Sequence, residues 1–317
     1  MNVLVIGAGA WGTAFARLLH ERGHDVTLAC RTRQQADAIE SSGRNPRYLP
    51  GVVLDGIGAT TVAEASFGET ELLVLAVPSR AFGEVVAELP ADGPVLSLAK
   101  GLDPATGNRL STLFEDRPVA VLSGPNFAEE IGNGLPAAAV IASGDEALAE
   151  RLQQEINSLI FRVYVNQDVV GVELAAAAKN VIALAAGGVD GLGLGDNAKT
   201  AIVTRGLAEM ARLGEACGGR GETFAGLAGM GDLIATSWSH HGRNRRAGEL
   251  IARGTSPEAA AAEIGTVEGL TTAPVLRALS HRVGVEMPIT NAVCEILDGR
   301  SLDELIAGLM GRRPTAE

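Results

Sequence analysis

The chain has 317 residues, a length that suits about two domains, and 46% of them are hydrophobic, enough for large cores. Aromatic residues make up only 3%, so those cores must be built from Ala, Val, Leu and Ile. The formal net charge of −12 argues against a nucleic-acid or anionic-membrane surface, while leaving room for a local basic pocket that takes a phosphorylated small molecule.

The first element is an apolar run, Val3-Leu4-Val5-Ile6, short enough for a buried strand. Gly7-Ala8-Gly9-Ala10-Trp11-Gly12 follows, a G-x-G-x-x-G, and then a helix over Thr13 to Glu21 with Phe15, Leu18 and Leu19 on one face and Gly23 to close it. Forty glycines make chance matches common; the strand–turn–helix context gives this one its weight. Gly7 permits the tight turn, Gly9 lets a pyrophosphate approach the backbone, and Gly12 lets the helix pack against the strand. The helix N-terminus offers free N–H groups to the phosphates. The stretch reads as a dinucleotide site.

Asp25 to Cys30 reads as a second strand. Where an NAD-preferring unit places an acid for the ribose hydroxyls, this chain has Arg31, with Arg33 close behind. Arginine suits a 2′-phosphate, which points to NADP or to dual use of NADP and NAD; the alternative is a solvated arginine ahead of a helix over Gln34 to Ser41. Ser42 to Gly58 reads as an ordered loop stiffened by Pro46 and Pro50 around Tyr48. Leu72 to Val77 is another strand, followed by a helix to about Leu89, and Val95 to Ala99 delivers Lys100 at a carboxyl edge, where ligands of open α/β sheets sit. Lys100 there is either a ligand contact or a surface-turn lysine. Val119 to Leu122, Ala137 to Ala142 and Arg162 to Val165 complete the strands, with helices over Phe127 to Ile131 and Asp145 to Ser158. Gly124 and the amides after it form a possible second anion-friendly helix start. The alternation implies an α/β class with a mostly parallel, doubly wound Rossmann-type domain over residues 1–167.

From Asp168 the strand signals stop, and an all-helical domain over residues 168–317 is expected. Its helices are read as Asp168 to Ala186, Asn197 to Ala216, Ser256 to Ile264, Ala273 to Val283, Asn291 to Leu297 and Leu302 to Gly311. Lys179 lies in an Ala/Val/Ile-rich run with no acid one turn away. It either snorkels to an edge or is buried for acid–base use, since burial lowers a lysine's pKa. Gly226 to Gly231 packs three glycines before Asp232, which shares a helix face with Thr236 and is read as a site acid, an N-cap, or both. Gly242-Arg243-Asn244 suits a phosphate, the alternative being a solvated charge run. His240 and His241 read as loop residues, because adjacent histidines point apart on regular structure and no third ligand is near; no metal site is expected. Cys30, Cys217 and Cys294 have no zinc or redox spacing and read as reduced thiols of a cytosolic protein. The N-terminus shows no signal-peptide pattern. The nearest approach to a membrane span, Leu174 to Val189, is interrupted by Lys179 and Asn180.

Several segments, in order along nearly the whole chain, together resemble the soluble bacterial-type NAD(P)-dependent sn-glycerol-3-phosphate dehydrogenases. They are Gly7 to Ala14, Asn45-Pro-Arg-Tyr-Leu-Pro-Gly, Lys100-Gly101, Ser123-Gly-Pro-Asn-Phe-Ala-Glu-Glu, Lys179-Asn180, Asn197-Ala-Lys, Thr204-Arg-Gly-Leu-Ala-Glu-Met, Gly226 to Asp232 and Arg243-Asn244. The resemblance implies reversible reduction of dihydroxyacetone phosphate to sn-glycerol 3-phosphate for glycerophospholipid synthesis, in the cytoplasm. It makes Lys179 the proton donor and acceptor at the ketone oxygen, with Lys100 and Asp232 beside it. It places Gly124, Asn126, Asn180, Thr236, Gly242, Arg243 and Asn244 with Lys100, Lys179 and Asp232 around the substrate, Arg243 and Asn244 at its phosphate. On the cofactor side it implies Gly7, Gly9, Ala10, Trp11, Gly12, Arg31, Tyr48, Lys100, Ala128, Arg243 and Glu268. Two positions depart from many bacterial members: Gly242, where they carry a hydroxyl residue, and Asn126, where they carry Ser or Thr. Apolar helices in the second half fit a homodimer. Two other readings are a hydroxy-acid dehydrogenase of the same two-domain architecture, which needs a carboxylate clamp, and a non-catalytic NADP(H) sensor, which the presence of both lysines opposes.

Overall fold

Ten short strands and thirteen α-helices order the described residues of this computed structural model, which are 1–90, 92–114 and 117–300. In chain order they begin β1 (Asn2–Ile6), α1 (Ala10–Glu21), β2 (Asp25–Cys30), α2 (Arg33–Ser42), β3 (Arg44–Asn45), β4 (Leu49–Val53), β5 (Gly58–Thr61), β6 (Leu72–Leu75) and α3 (Ser79–Ala87). Next come β7 (Val95–Ser97), β8 (Val119–Ser123), α4 (Ala128–Gly132), β9 (Ala137–Ser143), α5 (Glu146–Ile156) and β10 (Phe161–Asn166). The rest is helical: α6 (Val169–Gly191), α7 (Gly195–Ala216), α8 (Gly221–Ala225), a π-helical turn at Leu227–Gly231, α9 (Asp232–Trp238), α10 (Arg243–Ala252), α11 (Pro257–Ile264), α12 (Glu268–Val283) and α13 (Pro288–Leu297). The helix expected over Leu302 to Gly311 lies outside the described residues.

Eight strands form one sheet in the order β10-β9-β8-β7-β6-β1-β2-β5. Six of them, from β5 to β8, are parallel; β9 runs antiparallel to β8, and β10 follows β9. The chain winds from β1 outward to β2 and β5, then crosses back to β6 on the other side of β1. That reversal opens a crevice at the carboxyl ends of β1 and β6. The sheet's two faces carry separate cores. Phe15, Leu19, Leu96, Leu122 and Phe161 fill one, and Leu4, Ile6, Leu75, Phe82 and Leu110 the other. Val121, Val140 and Ala142 at the β8–β9 edge join the core of the helical half, so the two halves meet without a solvent gap there.

α6 is the axis of the helical half, packed against α7, α9, α10, α12 and α13. It is apolar all round, as a helix buried on every side must be. By length and composition α6 would cross a membrane, but 83% of its apolar window is buried inside the protein. It also runs to Gly191, past the expected end at Ala186, because Gly187 and Gly191 sit where α10 packs close on its backbone.

Three stretches differ from their reading in sequence. Ser42 to Gly58 is not a plain loop: Arg44 pairs with Val53 and Asn45 with Leu49 in a small hairpin. β5, Gly-Ala-Thr-Thr, adds an edge strand beside β2 that no apolar alternation announced. Gly226 to Gly231 is a π-helical turn, so α8, α9 and α10 follow one another where glycine signals had masked helices.

Candidate active site

The glycine-rich turn after β1 has the geometry its three glycines require. Gly7 sits at φ +111°, and a Cβ there would lie 2.6 Å from the Ala76 carbonyl oxygen. A Cβ on Gly12 would lie 2.0 Å from the Gly7 carbonyl oxygen, so α1 packs directly on the turn. Nothing lies within 4 Å of where a Gly9 Cβ would be, and no side chain caps α1. The turn therefore presents open backbone and unspent N–H groups, and it fits a dinucleotide pyrophosphate. Ala10 and Trp11 open α1; the Trp11 ring packs edge-on against Phe15 at 5.4 Å, so Trp11 offers a phosphate its backbone. The turn is braced by two residues that sequence reasoning missed. Asn45, fully buried, donates to the Ala8 carbonyl oxygen (2.9 Å) and to Thr13 Oγ1 (2.8 Å), and Gln35 donates to the same carbonyl (2.7 Å). The signal for Asn45 was its place in the Asn-Pro-Arg-Tyr segment, which by itself said only that the loop was ordered.

Arg31 is exposed at the carboxyl end of β2 and makes no ion pair among the described residues. Arg33 is taken by Glu64 and Asp37. Tyr48 is exposed at the tip of the β3–β4 hairpin with Arg47 over its ring. Ala128 begins α4, a helix of only five residues.

Beyond the turn, three charged side chains converge. The chain contains only three lysines, Lys100, Lys179 and Lys199. Lys100 leaves the carboxyl end of β7 and donates to the Gly124 carbonyl oxygen (2.9 Å) and to Asp232 Oδ2 (2.6 Å). Lys179, 5% exposed on α6, donates to Asp232 Oδ1 (3.0 Å) and to Thr236 Oγ1 (2.9 Å). Asp232 thus gives one carboxylate oxygen to each ammonium. It is the first residue of α9 and makes no capping hydrogen bond, so the N-cap reading is not seen. Burial alone would raise its carboxyl pKa, but the charges and hydrogen bonds of Lys100 and Lys179 hold it below the usual range. Lys179 moves the other way. Burial pushes its ammonium down to about 8; Asp232 opposes the fall, and the positive charges of Lys100 and Arg243 add to it. The snorkelling reading of Lys179 fails because the helix around it has no wet edge.

A second chain of polar contacts extends from this cluster. Asn180 donates to the Lys100 carbonyl oxygen (3.2 Å) and accepts from Asn244 Nδ2 (2.8 Å), and Asn244 Oδ1 accepts from the Gly269 N–H (2.8 Å). Arg243, the exposed first residue of α10, makes no hydrogen bond or ion pair with the described residues, yet its charge acts on both Lys179 and Glu268. Glu268 accepts from Ser79 Oγ (2.6 Å) and from the Ser79 N–H (3.2 Å), which stitches α12 to α3. Burial raises the Glu268 carboxyl pKa, against those hydrogen bonds and the charges of Arg243 and Arg80. Gly124 is held at φ +144° with its Cβ position 2.9 Å from the Ala138 carbonyl oxygen. Asn126 spends its amide N–H on that same oxygen (3.2 Å) and keeps a buried Oδ1 with no donor. Asn126 thus keeps a free acceptor, Oδ1, beside the second N–H of its amide. A Cβ at Gly242 would fall 2.4 Å from the Thr236 carbonyl oxygen, so a serine there would force the backbone to move. His240 and His241 do not point apart: their rings lie 4.0 Å from each other in the irregular turn before α10, and His241 faces Phe127 at 5.8 Å.

The family model for the N-terminus of NAD-dependent glycerol-3-phosphate dehydrogenase matches residues 2–149, and the model for its C-terminus matches residues 168–307. The glycerol-3-phosphate dehydrogenase (NAD(P)+) of Thermus thermophilus is 48% identical over 325 residues, covering 100% of both chains. A Mycobacterium tuberculosis protein of the same name, numbered 2, is 45% identical and covers 100% of this chain and 98% of its own. Among solved structures, glycerol-3-phosphate dehydrogenase of Coxiella burnetii superposes with a TM-score of 0.94 at 35% identity, over 98% of this chain and 99% of that one.

With only three lysines, protein labelled with 13C at lysine Cε will show three resonances. One of them is expected to titrate with a midpoint near 8 and to vanish in Lys179→Ala. The absence of any lysine resonance titrating below pH 10 would contradict the desolvated environment assigned to Lys179.

Proposed function

This chain belongs to the NAD-dependent glycerol-3-phosphate dehydrogenase family, and we propose from its site that it reduces dihydroxyacetone phosphate to sn-glycerol 3-phosphate, reversibly, in glycerophospholipid synthesis. The observation that carries the reading is the buried Lys100–Asp232–Lys179 cluster, with Arg243 close enough to lower the Lys179 pKa. Its relatives over the whole length are named dehydrogenases of this substrate, which sets aside the hydroxy-acid and sensor readings.

When bound, NAD(P)H supplies the hydride to the carbonyl carbon. Lys179 supplies the proton: its ammonium, weakened by burial, gives a proton from Nζ to the ketone oxygen as negative charge grows there. Asp232 and Thr236 hold Nζ in place. Lys100 keeps a second positive charge beside the developing alkoxide. Arg243 and Asn244 take the substrate phosphate, the guanidinium as a two-pronged donor. Gly124 and Asn126 border the substrate, and the Asn126 Oδ1 oxygen, left without a donor, accepts from a substrate hydroxyl. In the oxidative direction Lys179 takes the proton back.

The division of labour follows the fold. Residues 1–167 carry the cofactor turn and deliver Lys100, Gly124 and Asn126 to the substrate, and residues 168–317 provide the remaining substrate and catalytic groups, a boundary supported by the end of β10 at Asn166 and the start of α6 at Val169. Arg31 reads the 2′-phosphate, supported by its exposure beside an Arg33 already neutralised by acids. The three unpaired cysteines, two with thiols pushed up to about 11 by burial, support a reducing, cytoplasmic setting. An apolar groove walled by Leu184, Val189, Ile202, Ile251, Val293 and Ile296 supports a homodimer through the helical half.

Two outcomes are expected. Lys179→Ala will lower kcat by about 10³-fold and leave cofactor affinity, read by quenching of NADPH fluorescence, within about twofold. Loss of cofactor binding would instead make the lysine structural. Arg31→Ala will lower kcat/KM with NADPH by about tenfold, the worth of one charge-assisted hydrogen bond, and spare the rate with NADH. An equal change with both cofactors would remove Arg31 from the 2′-phosphate.

A further inference from the structure

The third lysine, Lys199, takes no part in the chemistry above, yet it is as buried as Lys179, at 5% exposure. It projects from α7 and places Nζ 2.7 Å from Asp190 Oδ2 and 5.2 Å from the centre of the Trp238 ring. Arg245 Nη1 reaches the same Asp190 oxygen at 2.8 Å and Glu249 Oε2 at 3.0 Å, and its Nε donates to the Ser239 carbonyl oxygen at 3.2 Å. Burial would raise the Asp190 carboxyl, but the two cations hold it below its usual range. One carboxylate thus ties α6 to α7 and α10, while Lys199 also braces Trp238 at the end of α9. Two of these helices, α9 and α10, begin at groups that handle substrate, Asp232 and Arg243.

The way α6 meets α10 gives this knot its leverage. A Cβ on Gly187 would fall 1.8 Å from the Arg245 carbonyl oxygen, one on Gly191 2.6 Å from that of Glu249, and one on Gly248 1.9 Å from that of Leu184. At these glycines the two helices lie backbone against backbone, with the Ala252 side chain beside Gly191. Polar clamps on the first turn of α10 add to that fit: Asn180 holds Asn244 and, further along α6, Asp190 holds Arg245. Lys179 rides on α6, and Arg243 and Asn244 head α10. The register of these helices is therefore the distance between the proton donor and the phosphate site. The substrate spans that distance with a fixed covalent length, and a displacement of about 1 Å there can cost on the order of 10²-fold in rate.

We propose that Lys199 is a positioning residue: acting through Asp190 and Arg245, it fixes the first turn of α10 and so matches the Arg243–Asn244 site to the Lys179 ammonium. The proposal rests on the reading that Arg243 and Asn244 take the substrate phosphate. A role of this kind must depend on the phosphate, whereas a merely structural role would not.

The test compares kcat/KM for dihydroxyacetone phosphate and for unphosphorylated dihydroxyacetone in the wild type, Lys199→Met, Arg243→Ala and the double variant. Lys199→Met is expected to lower the phosphorylated rate by about tenfold, to change the unphosphorylated rate by less than about twofold, and to add less than about twofold in the Arg243→Ala background. Lys199→Arg, which keeps the cation, is expected to restore most of the loss, and the near-isosteric Asp190→Asn to reproduce the pattern should Lys199→Met fold poorly. Equal losses on both substrates, or a full tenfold loss added to Arg243→Ala, would overturn the proposal. Should Arg243→Ala itself fail to separate the two substrates, the phosphate reading falls, and this proposal with it. Should Arg243→Ala separate them and Lys199→Met not, only the positioning role fails.

Discussion

One carboxylate shared between two ammonium groups organises this protein. Asp232 is 2% exposed, and neither it nor Lys179 could stay charged at that depth alone. Together with Lys100, which is partly exposed, they form a hydrogen-bonded cluster carrying one net positive charge. That excess is the useful part. Asp232 keeps Lys179 charged enough to hold a proton, while burial, Lys100 and Arg243 make the proton easy to give up. A developing oxyanion adds the missing negative charge, so the site is better satisfied in the transition state than before it.

The rest of the fold serves to hold this cluster together. Lys100 is delivered by β7, Gly124 by β8, Lys179 by α6, and Asp232 and Thr236 by α9. No local segment brings these together: they meet because the parallel strands end at one sheet edge and that edge packs on the central helix. Val121, Val140 and Ala142, on strands of the sheet, share a core with α6. The Glu268–Ser79 contact closes the other side of the cleft. On the proposed function, the substrate would be met by rigid elements from both halves.

Legibility in the sequence followed the range of the forces involved. The glycine turn could be read because Gly7 and Gly12 answer clashes within the turn or with the chain after the adjacent strand, and Gly9 leaves the backbone open. β2 could be read to the residue, as an apolar alternation ended by charge. The chemical meaning of Lys179 was split between snorkelling and burial, because what decides it is how many helices surround α6, a tertiary fact. Asp232 was split between cap and site acid for the same reason: its partners lie 53 and 132 residues away. Family resemblance, rather than spacing, supplied those roles. β5 escaped notice because Gly-Ala-Thr-Thr has no apolar periodicity, and the β3–β4 hairpin because two prolines outweighed its short strands. Glycines hid the last turns of α6 and the helix α10: Gly187 and Gly248 sit where backbones touch, not where helices break. The burial of Lys199 was not legible, since Asp190 precedes it across a helix break and Arg245 is 46 positions on.

The claim that the Lys179 ammonium is the proton donor is tested most directly by measuring kcat against pH in both directions at saturating substrates. Reduction needs Lys179 protonated, and its pKa stands near 8. The reductive kcat should therefore hold level at lower pH and fall as pH rises through about 8. Oxidation needs the free amine, so its kcat should rise through the same pH. Opposed profiles crossing near 8 are the predicted result; two flat profiles, or two that move in the same direction, would contradict the account.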